Sequence, residues 1–185
     1  CLIIAAGKGM RLSQRGDSKP LIPLLGVPII ERVIRSAIVA GIDDFCVVTG
    51  YNGEKVRSFL DNLAESRRII ISHVINDDWE KDNGISVLKA RDYFQENFVL
   101  LMADHLFDPE LLSMLVKQPL SEGEVTLAVD FNIDNGSVNI DDVTRVDVEN
   151  GKVVNIGKRL KSFNSFDTGI FLCSPSLFEG IERSI

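Results

Sequence analysis

Leu2-Ile3-Ile4-Ala5-Ala6-Gly7-Lys8-Gly9-Met10-Arg11-Leu12 sets a strand-length apolar run directly before a turn of small residues and two glycines. Glycines at that position let backbone N–H groups approach an anion with no Cβ in the way, so the stretch reads as a buried strand feeding either an anion-binding loop or an ordinary strand-to-helix turn with surface cations. Two familiar loops fail against it. A dinucleotide fingerprint needs a third glycine where Leu12 stands, and a Walker loop needs Gly-Lys-Ser/Thr after four intervening residues. Arg11 and the later Lys19 add cations within reach of the same crevice, one a planar fork for two phosphate oxygens and the other a point charge.

Outward from that loop, apolar runs of strand length alternate with stretches of helical period, the signature of a parallel sheet covered by helices. Pro28 opens a helix with the stripe Ile30, Val33, Ile34, Ala37 and Ile38, and Gly41 ends it. Phe45 to Val48 reads as a strand, Val56, Phe59, Leu60 and Leu63 as a helix face, and the region near Ile69 to Ile71 as a third strand. Asn83 is the expected cap of a helix running towards Tyr93. Phe98 to Met102 is a central strand ending at Ala103-Asp104, and Asp108-Pro109-Glu110 starts the next helix with a cap, a first-turn proline and an acid. Beyond the strand Val125 to Val129 the pattern turns β-rich. Thr144 to Val148 and Val153 to Ile156 flank Asn150-Gly151, a dipeptide favoured in tight hairpins, before Gly169 to Leu172 returns to the sheet.

Length and charge narrow the function classes. With 185 residues and 45% apolar content the chain suits one well-buried domain, expected to span 1–185 and to be cut at both ends. Twenty basic against 27 acidic residues give −7, which leaves no global cationic field for nucleic acid or an anionic membrane surface. Cys1, Cys46 and Cys173 are odd in number and lie within or beside apolar stretches, as free thiols of a cytoplasmic interior do. No apolar run approaches the roughly 20 residues of a membrane span.

The loop and its continuation resemble the sugar-phosphate nucleotidyltransferase family. Its signature is an apolar strand, Ala-Ala-Gly-x-Gly-x-Arg-Leu, a spacer, a lysine beside proline, and then Leu-x-Pro-Leu-x-Gly-x-Pro-Ile. Here Ala5 to Leu12 supplies the first part, and Lys19-Pro20-Leu21-Ile22-Pro23-Leu24-Leu25-Gly26-Val27-Pro28-Ile29 the second. Ser18, where several branches carry proline, is the one departure. The resemblance implies a Rossmann-like, GT-A-like α/β fold, a mixed and mainly parallel sheet with a small β-rich insertion. It also implies that Ala5, Ala6, Gly7, Lys8 and Gly9 hold a nucleotide, that Arg11 grips its triphosphate, and that Lys19 neutralises charge at the α-phosphate.

Further positions follow from the same resemblance. Asp104, at the carboxyl end of a buried strand, matches the family's metal-binding aspartate and suits Mg²⁺, with a second metal carboxylate expected beyond Ile185. His105 reads as an exposed or supporting residue outside the chemistry. Asn76 to Leu88 is similar to the loop of the cytidylyltransferase branch that acts on phosphocholine and inositol phosphate, which brings Asn83, Gly84 and Ser86 to the nucleotide. Lys158 would meet the acceptor's phosphate, and Asp167, Thr168 and Gly169 would line the acceptor pocket. Asp167 could instead bond its own backbone, a habit of Asp.

The implied function is Mg²⁺-dependent transfer of CMP from CTP to a small phosphorylated polyol, inositol 1-phosphate first, with release of pyrophosphate. Sugar 1-phosphates and phosphocholine are the alternative acceptors, and a non-catalytic nucleotide-binding subunit of the same fold is the rival class. No nucleic acid and no membrane contact from this segment are expected; a homodimer and a fused membrane domain stay open.

Overall fold

The computed structural model describes residues 1–9 and 18–185. In chain order the strands and α-helices are β1 (Leu2–Ala5), β2 (Pro23–Leu24), β3 (Val27–Pro28), α1 (Ile29–Val39), β4 (Asp44–Thr49), α2 (Gly53–Arg67), β5 (Ile70–Ile75), α3 (Asn83–Lys89), β6 (Phe98–Met102), α4 (Pro109–Leu115), β7 (Val125–Asp130), β8 (Arg145–Glu149), β9 (Lys152–Gly157), β10 (Ser165–Cys173) and α5 (Leu177–Ser184). Lys19–Leu21 forms a short 3₁₀ turn before β2.

β1 is the organising strand. It pairs in parallel with β4 on one side and with β6 on the other, and β5 extends the parallel part beyond β4. β10 then runs antiparallel to β6 and carries β7 and β8, with β9 outermost beyond β8. The result is the mixed eight-stranded sheet anticipated from the alternating pattern.

Alternation along β1 divides the core. Ile3 and Ala5 face α1, α2 and α4, among Ile30, Val33, Ile34, Val56, Leu60 and Leu112; Leu2 and Ile4 face α3 and α5, among Val87, Ala90 and Phe178. Each such Leu, Ile or Val, wholly removed from water, contributes roughly 1.5–3 kcal/mol, so a strand apolar on both faces is held from both layers. On the second face Phe98 stacks on Phe178 at 5.3 Å and Phe94 lies 4.4 Å from Phe98.

Local signals read from sequence mostly hold. Gly41, at φ +95°, donates to the Ile38 carbonyl while Ile42 donates to Ala37, a closed helix end that only a residue tolerant of positive φ permits. Asp108 caps α4 by accepting from the Glu110 N–H. Asn150 and Gly151, at φ 50° and 74°, make the β8–β9 turn. Two expectations need correction. The third strand runs from Ile70 to Ile75, not near 69–71, because the full length of β4 pairs with it. α3 ends at Lys89 and gives way to a 3₁₀ turn, Arg91–Tyr93; its N-cap is Asp82, without a side-chain bond, and Asn83 is already helical.

Among the described residues no helix is long and apolar enough to cross a membrane. The cysteines are free, with Cys46 and Cys173 buried. Burial pushes the Cys46 thiol up to about 11, with Asp44 adding to the rise, and burial alone pushes Cys173 up to about 12. Both thiols should therefore resist alkylation at pH 8 until the protein is denatured. Since each native pKa lies above that of an unfolded thiol, about 8.5, this contribution to stability is whole below that pH and declines as pH rises towards the native values. Denaturant midpoints measured from pH 8 to 11 should fall less in a Cys46→Ala, Cys173→Ala double variant than in the wild type.

Candidate active site

Chain order around β1 fixes where a site can form. The chain passes from β1 to β4 and β5 on one side, then returns to β6 on the other, so the carboxyl ends of β1 and β6 diverge at a topological switch point. The loop after Ala5 and the turn at Ala103-Asp104 flank that crevice. A cleft of about 970 Å³ opens there, lined among others by Gly9, Lys19, Asn83, Asp104, His105 and Lys158. That volume suits a nucleotide-sized ligand.

Lys19 pairs with Asp104 across the crevice, its ammonium donating to Oδ2. Gly9 makes the approach feasible: it sits at φ +62°, and a Cβ there would lie 2.5 Å from Lys19 Cδ and 2.6 Å from its Cβ. Asp104 Oδ1 meets His105 Nδ1 at 2.9 Å. Burial pushes the Asp104 carboxyl up, yet the His105 and Lys19 contacts outweigh it and hold the group well below the usual carboxylate range. Its bond to Asp104 raises the His105 imidazole above its ordinary value, burial opposes the rise, and Asp167 adds to it. Asp104 is therefore an ionised carboxylate, with the Lys19 ammonium on one oxygen and the His105 ring nitrogen on the other.

The far wall is built by a bulge. Between Asp167 and Phe171, β10 carries four steps against two on β7, from Val129 to Leu127. Gly169 adopts φ +73° in that bulge, and a Cβ on it would lie 2.9 Å from the His105 ring. Asp167 lines the cleft, and its Oδ1 accepts the Gly169 N–H at 2.7 Å, the bond to its own backbone that Asp favours. Burial raises its carboxyl.

The structure separates the sequence-predicted residues. Gly9, Lys19, Asn83, Asp104, Lys158 and Asp167 share the cleft. Ala5 and Ala6 are buried beneath the loop, while Gly7 and Lys8 are exposed, the Lys8 ammonium 5.2 Å over the Tyr51 ring. Arg11 lies outside the described residues.

Three predicted positions do other work in this structure. Ser86 is buried and its hydroxyl accepts from Asn76 Nδ2. A Cβ on Gly84 would meet Ile181, so a glycine there lets α3 and α5 pack closely. Thr168 donates its hydroxyl to the Ala128 carbonyl on β7.

Sequence reasoning passed over two residues. His105 was set aside, and only the register of β10 against β6 reveals its seat. Asn76, 1% exposed, accepts the Asp78 N–H and grips Ser86, so it anchors the 76–82 loop to α3.

Mg²⁺ fits the oxygen chemistry of Asp104, one hard carboxylate lining the cleft, once the Lys19 ammonium leaves Oδ2. No cluster of three ligating side chains exists among the described residues, so phosphate oxygens and water would complete such a shell.

The chain belongs to the family described as MobA-like NTP transferase domain, which matches residues 1–137, and enzymes of this nucleotidyltransferase class generally use a divalent metal. It is 34% identical over 98% of its length to a "Bifunctional IPC transferase and DIPP synthase" of Rubrobacter xylanophilus, and spans 40% of that relative. A protein of the same description from Archaeoglobus fulgidus is 32% identical over 98% of this chain, which spans 34% of it. Among solved structures, the inositol-1-phosphate CTP transferase from T. maritima superposes with a TM-score of 0.85 at 25% identity, covering 100% of this chain and 73% of that one.

Removing the Asn76 amide leaves the Ser86 hydroxyl and the Asp78 N–H without their partner, a penalty of about 1–3 kcal/mol. Asn76→Ala should lower the urea midpoint accordingly at unchanged m-value, and Ser86→Ala should cost less.

Proposed function

We propose that this chain is the nucleotidyltransferase domain of a longer protein and transfers CMP from CTP to inositol 1-phosphate, releasing pyrophosphate, with Mg²⁺ as the metal. The observation that carries the reading is the Lys19–Asp104 pair at the switch point, facing Lys158 and Asp167 across one cleft. The names of the relatives and of the T. maritima enzyme support CTP and the inositol acceptor.

The acceptor's phosphate is already an anion near neutral pH, so the attack needs no general base and rests on positioning and charge neutralisation. A phosphate oxygen of the acceptor bonds to the α-phosphorus of CTP while the bond to the β-bridging oxygen breaks, and pyrophosphate leaves with the electron pair. Backbone N–H groups of Gly7 to Gly9 and the Arg11 guanidinium hold the triphosphate. Lys19 turns from Asp104 to the α-phosphate. Lys158 receives the acceptor's phosphate, and Asp167 takes its ring hydroxyls. Asn83 lies at the nucleotide side; Ala5, Ala6, Gly84 and Ser86 shape that wall from behind, and Thr168 and Gly169 hold the acceptor wall. Asp104 would hold Mg²⁺, which would supply further charge neutralisation there.

A polyol acceptor fits better than a trimethylammonium one, which calls for an aromatic cage. Phe163 already carries the Arg145 guanidinium 5.2 Å over its ring, Phe166 is buried, and Trp79 packs edge-on to Tyr51 at 5.1 Å. Those aromatics are committed elsewhere.

Pyrophosphate release from each nucleoside triphosphate against inositol 1-phosphate, glucose 1-phosphate and phosphocholine tests the reading. CTP with inositol 1-phosphate should give the highest kcat/KM; a preference for phosphocholine overturns the acceptor. Lys19→Ala should lower kcat about 10²–10³-fold with little change in acceptor KM, since the charge it offsets grows in the transition state. Asp104→Asn should keep the circular dichroism spectrum and raise the Mg²⁺ concentration needed for half-maximal rate; loss of the fold instead makes Asp104 structural.

A further inference from the structure

His105 is the one imidazole in the cleft and has no part in the chemistry described above. The side chain is partly exposed, with one nitrogen bonded and one ring edge lying against β10. Its Nδ1 faces Asp104 Oδ1 at 2.9 Å, and its Cγ and Cδ2 lie where a Cβ on Gly169 would come within 2.9 Å. That seat exists because the bulge in β10 places a glycine at φ +73° directly behind the ring. With Nδ1 and the Cγ–Cδ2 edge committed, the Cε1–Nε2 edge is the part left for the cleft, between Asp104 on the metal side and Asp167 on the acceptor side. Among the described residues no hydrogen bond to Nε2 is formed.

A cleft-lining ring bonded at one nitrogen and backed by β10 is suited to recognition through the other nitrogen. The bond to Asp104 and the strand behind the ring restrict its rotamers before any ligand arrives, so a contact to Nε2 forms with less loss of side-chain freedom than a ring without them would incur. We infer that His105 binds the acceptor directly through Nε2, working with Lys158 and Asp167, while its Nδ1 bond to Asp104 ties the acceptor's position to the carboxylate that faces Lys19. The inference rests on the nucleotidyltransferase reading and adds a residue that sets the acceptor's place. Asp104 and Asp167 flank the ring on the cleft side, Lys19 lies beyond Asp104, and Met102 and Gly169 back it.

Asparagine and glutamine separate the two ring nitrogens, since the Asn amide reaches the place of Nδ1 and the Gln amide that of Nε2. His105→Asn keeps the Asp104 contact and loses Nε2. Its KM for inositol 1-phosphate should rise about tenfold or more, as for a lost bond to a charged ligand, while the CTP dissociation constant measured by calorimetry without acceptor stays within about twofold. His105→Gln should recover most of the acceptor KM. A structural role alone would not produce that split or that rescue.

A second measurement needs no turnover. The chain holds two histidines, and His73 is paired with Asp61 between β5 and α2. In long-range ¹H–¹⁵N spectra, inositol 1-phosphate should move the His105 Nε2 resonance and leave that of His73 in place. An unmoved His105 resonance, an unchanged acceptor KM in His105→Asn, or a loss of CTP affinity equal to the rise in KM each overturns the inference. If the wild type prefers another phosphorylated acceptor, the proposed substrate fails and the same KM split, measured with that acceptor, still decides the role of His105.

Discussion

The site depends on β1 being hydrogen-bonded on both edges and buried on both faces. Its partners β4 and β6 fix it along its length, and the two core layers leave it no freedom to shift. Because the winding reverses at this strand, the loop that follows it cannot be covered by a neighbouring crossover and must open onto a crevice. The anion-binding loop, Lys19 and Asp104 therefore meet at a place set by topology, and the side chains there inherit the rigidity of the most protected part of the sheet.

Two glycines convert that rigid frame into close contacts. Gly9 lets the Lys19 stem pass against the loop so that its ammonium reaches Asp104, and Gly169 lets the His105 ring lie against β10 so that its Nδ1 reaches the same carboxylate. Both sit at positive φ, and in both a Cβ would occupy the space of the functional side chain. Asp104 is thus met on one oxygen by a group from the segment after β1 and on the other by its own neighbour, the ring backed by β10. The bulge in β10 has the same consequence for Asp167, whose carboxylate is turned towards the cleft while its Oδ1 remains tied to the Gly169 N–H.

What was legible in the sequence follows from the range of each signal. Hydrophobic period and short turn dipeptides are local, so the strands at Leu2–Ala5 and Phe98–Met102, the α1 stripe and the Asn150-Gly151 hairpin could be read directly. The strand-end aspartate and the glycine loop were legible for the same reason. Contacts set by register were not. Whether Ser86 faces a ligand or Asn76, whether Thr168 faces the cleft or Ala128, and whether His105 is idle or seated on Gly169 depend on which residues of distant elements lie opposite one another. The helix cap at Asp82 in place of Asn83 is a slip of one residue, the size of error that propensity alone leaves.

The charge distribution completes this account. A chain of net charge −7 has no broad cationic surface, and its cleft instead sets individual partners on one carboxylate: the Lys19 ammonium and the His105 ring on Asp104, with Asp167 adding to the field at His105. Such pairing keeps the ammonium and the imidazole oriented, where unpaired long side chains on an acidic surface would spread over many rotamers. It also keeps Asp104 ionised despite its burial, since the two contacts outweigh desolvation. Lys158, exposed on the far wall at the edge of the β8–β9 hairpin, has no comparable constraint and relies on its place in the cleft alone. The two walls therefore differ in kind: one is a preorganised ion cluster on the most buried strands, the other a bulged strand and a surface hairpin with room to adapt to what it holds.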